Sequence, residues 1–559
     1  MSEHANPTQA KDAILAAIGS GDLEAAREHF AAASERWRGA TTLRLAEGSI
    51  LEATDQLDAA EALYRELQED FADNPWPGIR LARLLRRQGR LAEARKIFED
   101  VIWASKVRSE IKAKLLDDLA RSTLTDVGEA TAFLERLQAR AAPDEALVAR
   151  LTAILSAKRG SIEEGLAALG AVAESEDSMA LARDLLLRAG RMDEARTVAQ
   201  ALVDTYPDSP QHIRRLVLLL SYTGNVEEAA RTLDAALRRW PSDWRLIYRL
   251  NRLNVAQETL RSLFATVEAN RASAPMDARA LLHSAIAALH VDDNEAAHQA
   301  LGAIDETSPQ EFLARPLRRA LVRWPRGHRA TPRFVDDPSR ALQIVKVPDA
   351  VATVFVFTGM VRGLSYLPLS YTDELFAPFP VNVVYLRDTR HGGYFKGVDG
   401  LGEDMASTAA GLRRLAAELG GRTITLGASY GGFAAVRFAA LIGADATVSL
   451  AGATQLMMRR DPISSAELYF SLSQAERDIV PDIKANPDLS VFYYYGCDNA
   501  SDSQHAERLA GLSNCRTDGV KDVKDHLVVL HMVGSGRFER VLAEDLGLAP
   551  SAGAAPSAL

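Results

Sequence analysis

Thr423-Ile424-Thr425-Leu426-Gly427-Ala428-Ser429-Tyr430-Gly431-Gly432-Phe433 runs from a β-branched, apolar segment through a G-x-S-x-G pattern into a helical one. Small residues on both sides of Ser429 suit a strained strand-to-helix turn, where bulkier neighbours would collide. Such a turn lifts the Ser429 hydroxyl to the sheet edge. It also sets the Tyr430 amide at a helix N-terminus, where it can stabilise a developing oxyanion. The five-residue pattern is short and common. Its position between a strand and a helix is what makes it informative.

Outward from this stretch, short runs rich in Val, Ile, Phe and Tyr occupy 342–347, 353–358, 381–386, 423–426, 447–450 and 491–495. Nearly continuous apolar runs of this length predict strands buried on both faces. Helical patterns at 403–419, 432–441 and 504–512 lie between them. The alternation predicts an α/β domain, a mostly parallel sheet with helices on both faces. Residues 454–488 are longer than a simple connection and predict a cap or lid.

A serine is a poor nucleophile without a base and an acid to orient that base, and both are sought downstream. Asp498, two residues past the apolar run once it is extended to 490–496, is the first candidate acid. Asp502 competes with it, its other reading being the N-cap of the following helix. His526, after a last candidate strand at 514–523, is the candidate base, whereas His531 lies inside a helix and reads as packing or surface. A second oxyanion donor is expected after the strand at 353–358, from the amide of Gly359 or Met360, unless Gly359 only makes a tight turn. Arg387 and His391, in a glycine-bearing loop after a strand, are candidate substrate-binding residues, with pairing of Arg387 to a nearby acid as the alternative.

These pieces resemble the α/β-hydrolase family over about 342–546, most specifically at Gly427–Gly431. The resemblance implies acyl transfer through a Ser429 acyl-enzyme, with His526 as base and then acid, oriented by Asp498 or Asp502. The expected activity is a serine hydrolase acting on esters. Transfer to a glycan or other acceptor is the alternative, and an inactive domain on a scaffold a third. The sequence departs from the family in its extra Gly432, its few early strands and the charged segment 521–525 before the histidine.

The first three-fifths of the chain is a different kind of sequence. Gly21-Asp22-Leu23-Glu24-Ala25-Ala26 recurs as Asp55-Gln56-Leu57-Asp58-Ala59-Ala60 and as Gly89-Arg90-Leu91-Ala92-Glu93-Ala94, each copy displaced by 34 residues. Clear copies follow at Gly190 and Gly224, weaker ones at Thr125 and Gly160. A fixed period of this size signals stacked helical hairpins, and nine fit between residues 10 and 321. In each copy the turn residue starts a helix, the acids suit its positive end, and the alanine lets two helices approach closely. Pro207 and Pro241 fall where a second helix must stop. The period, the small residue and the prolines resemble the tetratricopeptide repeat family, which implies an all-α solenoid with a groove for a protein partner. Seven arginines and no acid between Arg315 and Arg333, with three prolines, mark a boundary. They read as an amphipathic helix and solvated linker before they read as an anion site.

The expected division is therefore a solenoid over 1–321, a linker over 322–340, an α/β-hydrolase-like domain over 341–548 and a tail over 549–559. With 47% hydrophobic and 25% charged residues, the 559-residue chain is excluded from disordered and collagen-like classes. The net charge of −10 is shared by both halves, so neither has the basic surplus of a nucleic-acid binder. Two cysteines, Cys497 and Cys515, are too few for a disulfide framework. No metal or other cofactor is called for by any motif. Without a signal layout or a long apolar run, the expected location is cytoplasmic, with no membrane span.

Overall fold

The computed structural model describes residues 6–20, 22–37, 39–103, 107–108, 111–112, 115, 118–119, 127–139, 145–170, 175–456 and 472–550. The chain forms two compact units, Met1–Val198 and Ala199–Leu559. Among the described residues, no helix is long and apolar enough to cross a membrane.

The first unit is built of helical hairpins. The helices Leu23–Arg36, Thr41–Ala53, Leu57–Asp70, Pro75–Arg87 and Leu91–Trp103 follow the 34-residue period of the sequence. The alanine of each copy is a packing point: Ala26, Ala60 and Ala94 expose no surface, so backbones approach where a larger side chain would hold them apart. Asp22 accepts a hydrogen bond from the Ala25 amide at 2.9 Å, capping its helix. Gly89 turns with a φ of +80°, and Asp55 fills the same turn position at +59° in the copy that lacks glycine. The weak copies around 110–165 fall partly outside the described residues.

The second unit opens with more helices of the same kind, among them Pro210–Tyr222, Val226–Arg239, Trp244–Leu250, Gln257–Ser273, Ala278–His290 and Glu311–Leu321. Ala229 and Ala297 are again wholly buried. The arginine-rich segment pairs with the surrounding protein. Arg318 binds Glu311 at 2.6 Å, the Leu301 carbonyl in the last turn of the helix Asn294–Gly302 and the Ile304 carbonyl just past it, Arg333 binds Asp373, and Arg323 binds Glu539. It joins helices to sheet through ion pairs.

The sheet has seven strands, β1 (Leu342–Val345), β2 (Ala352–Phe357), β3 (Val381–Leu386), β4 (Arg422–Ala428), β5 (Ala446–Leu450), β6 (Ser490–Gly496) and β7 (Cys515–Val520), in the order β1-β3-β2-β4-β5-β6-β7. Only β1 runs antiparallel to its neighbour. β2, β3 and β5 are buried at every position, as their continuous apolar runs require. β7 is an edge strand, part-exposed along its length, so it carries Arg516 and Asp518 and lacks the apolar signature of its neighbours. The strand order reverses between β2 and β4, and a crevice opens at the carboxyl ends of strands at such a point. Residues 457–471, the middle of the expected cap, lie outside the described residues. On the far side of that segment, Arg437 holds the Ala475, Glu476 and Asp478 carbonyls.

Candidate active site

Register decides what meets at the crevice. Phe357 of β2 is paired with Gly427 of β4, so the chain leaving β2 at Thr358 passes beside the chain leaving β4 at Ser429. Ser429 has φ +55° and ψ −119°, a conformation that costs a non-glycine residue about 1–3 kcal/mol. Its surroundings enforce the turn. A Cβ on Gly427 would collide with the Gly431 carbonyl, and one on Gly431 would strike the Phe357 and Thr358 carbonyls. Gly432, the departure from the family pattern, lies against Ser449 and Gly452 at the end of β5, where a Cβ would come within 2.9 Å of the Gly452 Cα. The second glycine is therefore a close-packing requirement between the helix Tyr430–Ile442 and β5.

The Ser429 Oγ lies 2.9 Å from His526 Nε2, and His526 Nδ1 lies 2.8 Å from Asp502 Oδ1. The histidine exposes 38% of its side chain and the aspartate 2%. The structure thus brings together Ser429, His526 and Asp502 in one hydrogen-bonded row. Asp498, the first candidate acid, is not in that row. It is exposed on the turn after β6, where its amide donates to the Val523 carbonyl. The N-cap reading of Asp502 is also corrected. Asn499 caps the helix Ala500–Glu507, accepting from the Ser501 and Asp502 amides, which leaves the Asp502 carboxylate to face the imidazole.

The Tyr430 amide opens the helix beside Ser429. Gly359 and Met360 line a pocket together with Tyr430, but the Gly359 amide donates to the Gly363 carbonyl at 3.1 Å, closing the tight turn that was its other reading. Of the two candidate amides, that leaves Met360. The loop is held from below by Tyr394, whose buried hydroxyl donates to the Thr358 or Leu386 carbonyl, 3.0 and 2.9 Å away. Arg362 holds it from the helical side through the Asn251 and Leu253 carbonyls, at 3.1 and 2.8 Å.

Arg387 and His391 border the same pocket but are engaged structurally. The Arg387 guanidinium is buried against Asp336, Gln343 and the Arg362 carbonyl. His391 stacks on Tyr222 with ring centroids 4.6 Å apart, and its Nε2 lies 3.0 Å from Ser221 Oγ. Burial pushes its pKa down to about 3, with Arg252 and Lys396 adding to the effect. Such an imidazole stays neutral and fastens the sheet domain to the helix Pro210–Tyr222.

Asp525, not singled out by the sequence, and His531 shape the histidine turn. Asp525 accepts from the Leu527 amide at 2.7 Å with one carboxylate oxygen, and its other oxygen lies 3.0 Å from His531 Nε2. His531, expected to be packing or surface, therefore pins the residue before His526. The only sequence signal is that Asp525 adjoins His526. A cavity of about 390 Å³ opens over Ser429, lined also by Ala451, Gln455, Asn499 and His505. Among the described residues, no group of three or more His, Cys, Asp or Glu is placed to hold a metal ion.

Models of the tetratricopeptide repeat match residues 53–113, 11–75 with 214–260, and 179–209. A protein named cellulose synthase operon protein C, from Xanthomonas axonopodis pv. citri (strain 306), is 29% identical over 214 residues, 38% of this chain and 12% of that protein. The chain thus matches only a small part of the length of that curated relative. Among solved structures, MenH from S. aureus aligns over 37% of this chain and 98% of its own at 12% identity, with a TM-score of 0.26. YrrB, described as a TPR protein with an unusual peptide-binding site, aligns over 39% of this chain and 96% of its own at 15% identity, with a TM-score of 0.19. Tetratricopeptide repeats therefore occupy the N-terminal region, and a mostly parallel sheet with helices follows them.

Proposed function

We propose that the sheet domain is of the α/β-hydrolase type and that the chain is a serine hydrolase acting on esters. The observation that carries this reading is the unbroken row from Ser429 Oγ through His526 to a buried Asp502, with the serine held at a positive φ. In the proposed reaction His526 Nε2 takes the Ser429 proton as Oγ attacks the acyl carbon. The tetrahedral oxyanion is met by the amides of Tyr430 and Met360, and the imidazolium returns its proton to the leaving alcohol. Water activated by the same imidazole then releases the acid. Asp502, on Nδ1, fixes the tautomer that leaves Nε2 free to accept. The part-exposed imidazole gives water a path to the acyl-enzyme, which favours hydrolysis over transfer to another acceptor. The repeats would recruit a protein partner or a bulky substrate.

A fluorophosphonate probe tests the reading. The folded protein is expected to take up one label, and the Ser429→Ala variant none; absence of labelling in folded wild type would overturn it.

A further inference from the structure

A second cavity, of about 700 Å³, lies on the helices Pro210–Tyr222, Trp244–Leu250 and Ala278–His290, within the volume range of small-molecule sites. Five arginines line it, Arg214, Arg215, Arg245, Arg249 and Arg279, and none of its lining residues is an acid, in a chain whose net charge is −10. The repeat period accounts for their convergence. Gln211, Arg245 and Arg279 stand 34 residues apart, as do Arg215, Arg249 and His283, so successive hairpins present the same two positions to one face. One period earlier the matching residues are Asp177 and Leu181, which shows that the hairpin itself does not require arginine there.

The cations are held in advance of any ligand. The guanidinium carbons of Arg245 and Arg279 lie 4.8 and 5.3 Å from the centroid of the Trp244 ring, which restrains both groups. Arg214 is bound to Asp243 at 2.5 Å, yet burial lowers its pKa, and repulsion from Arg245 and Arg215 adds to the shift. His283, stacked on Trp244 at 5.6 Å, is buried with no hydrogen-bond partner for Nδ1. At the border stand Phe312, 54% exposed, and Tyr366.

The geometry points to a binding site for a small phosphate-bearing molecule with a planar ring, of nucleoside diphosphate size. Guanidinium pairs recognise phosphate oxygens through parallel N–H donors, and the exposed Phe312 ring at the border offers a base a face to stack on. A site for a peptide of mixed charge would need acids for its ammonium groups, and the cavity lining has none. This site is independent of the chemistry proposed at Ser429.

Titration calorimetry on the full chain with ADP, pyrophosphate, adenosine and a hexaglutamate peptide tests it. Saturable ADP binding is expected, stronger than pyrophosphate or adenosine. It should weaken with added salt, fall at least about tenfold in an Arg245→Gln/Arg279→Gln double variant, and stay unchanged in Ser429→Ala. If the double variant fails to match wild type in thermal unfolding, the single change Arg245→Glu, at an exposed position, replaces it. No saturable binding of ADP or pyrophosphate, or binding indifferent to the arginine changes, overturns the site. Equal affinity for ADP and pyrophosphate removes the ring from the proposal, and binding of the peptide alone assigns the face to a protein partner instead.

Discussion

At the scale of single residues, the difference between Asp498 and Asp502 shows what distance along the chain leaves open. Both follow β6 within six residues, and both could reach a sheet-edge imidazole on sequence spacing alone. The helix start separates them. With Asn499 as the cap, Asp502 falls in the first helical turn with its carboxylate buried, whereas Asp498 stays in the exposed turn before the cap. On the proposed chemistry, Asp502→Asn is expected to lower kcat by about three to four orders of magnitude, because the amide holds the wrong imidazole tautomer. Asp498→Asn should leave kcat near that of wild type. Steady-state kinetics on the two variants checks this, and the reverse ranking would restore Asp498.

At the scale of elements, the turn between β7 and the helix Val528–Gly534 carries the least legible part of the site. An edge strand needs only one protected face, so the run 515–520 is polar, and the charged segment after it hides the boundary where His526 sits. The pairing of Asp525 with the Leu527 amide and His531 supplies rigidity that the strand does not. Asp525→Ala is expected to lower kcat about 10–100-fold at nearly constant KM, since a misplaced imidazole loses alignment with little change in binding. A rise in KM at constant kcat would assign Asp525 to substrate contact instead. The elbow is the opposite case. Its requirement for small residues is so local that Gly427, Ser429 and Gly431 state it in the sequence, and only the reason for Gly432 had to come from β5.

At the scale of the whole molecule, the second unit buries histidines and arginines where repeats meet sheet, and this makes its stability depend on pH. The His391 pKa is pushed down to about 3 and that of His283 to about 4, from an ordinary value near 6.5. Below that ordinary value the unfolded chain binds protons that the folded chain refuses. Stability is therefore full above about pH 6.5 and is lost as pH falls toward the folded values, by up to about 1.4 kcal/mol per pH unit for each histidine. Denaturant unfolding of wild type and His391→Asn between pH 7 and 5 checks the sign. Asparagine tolerates the positive φ of +52° at this position, and the variant should show the shallower pH slope; parallel curves would remove His391 as a source. The sequence by itself determined the period of the repeats, the strand–turn–helix at Ser429 and the α/β alternation, because periodicity, glycine placement and apolar runs act over a few residues. The tertiary structure alone decided that Asp502 faces His526, that Gly359 closes a turn, that Arg387 and His391 hold the unit together, and that arginines a full repeat apart share one cavity. Each of these depends on strand order and helix stacking, which bring together side chains that no local pattern connects.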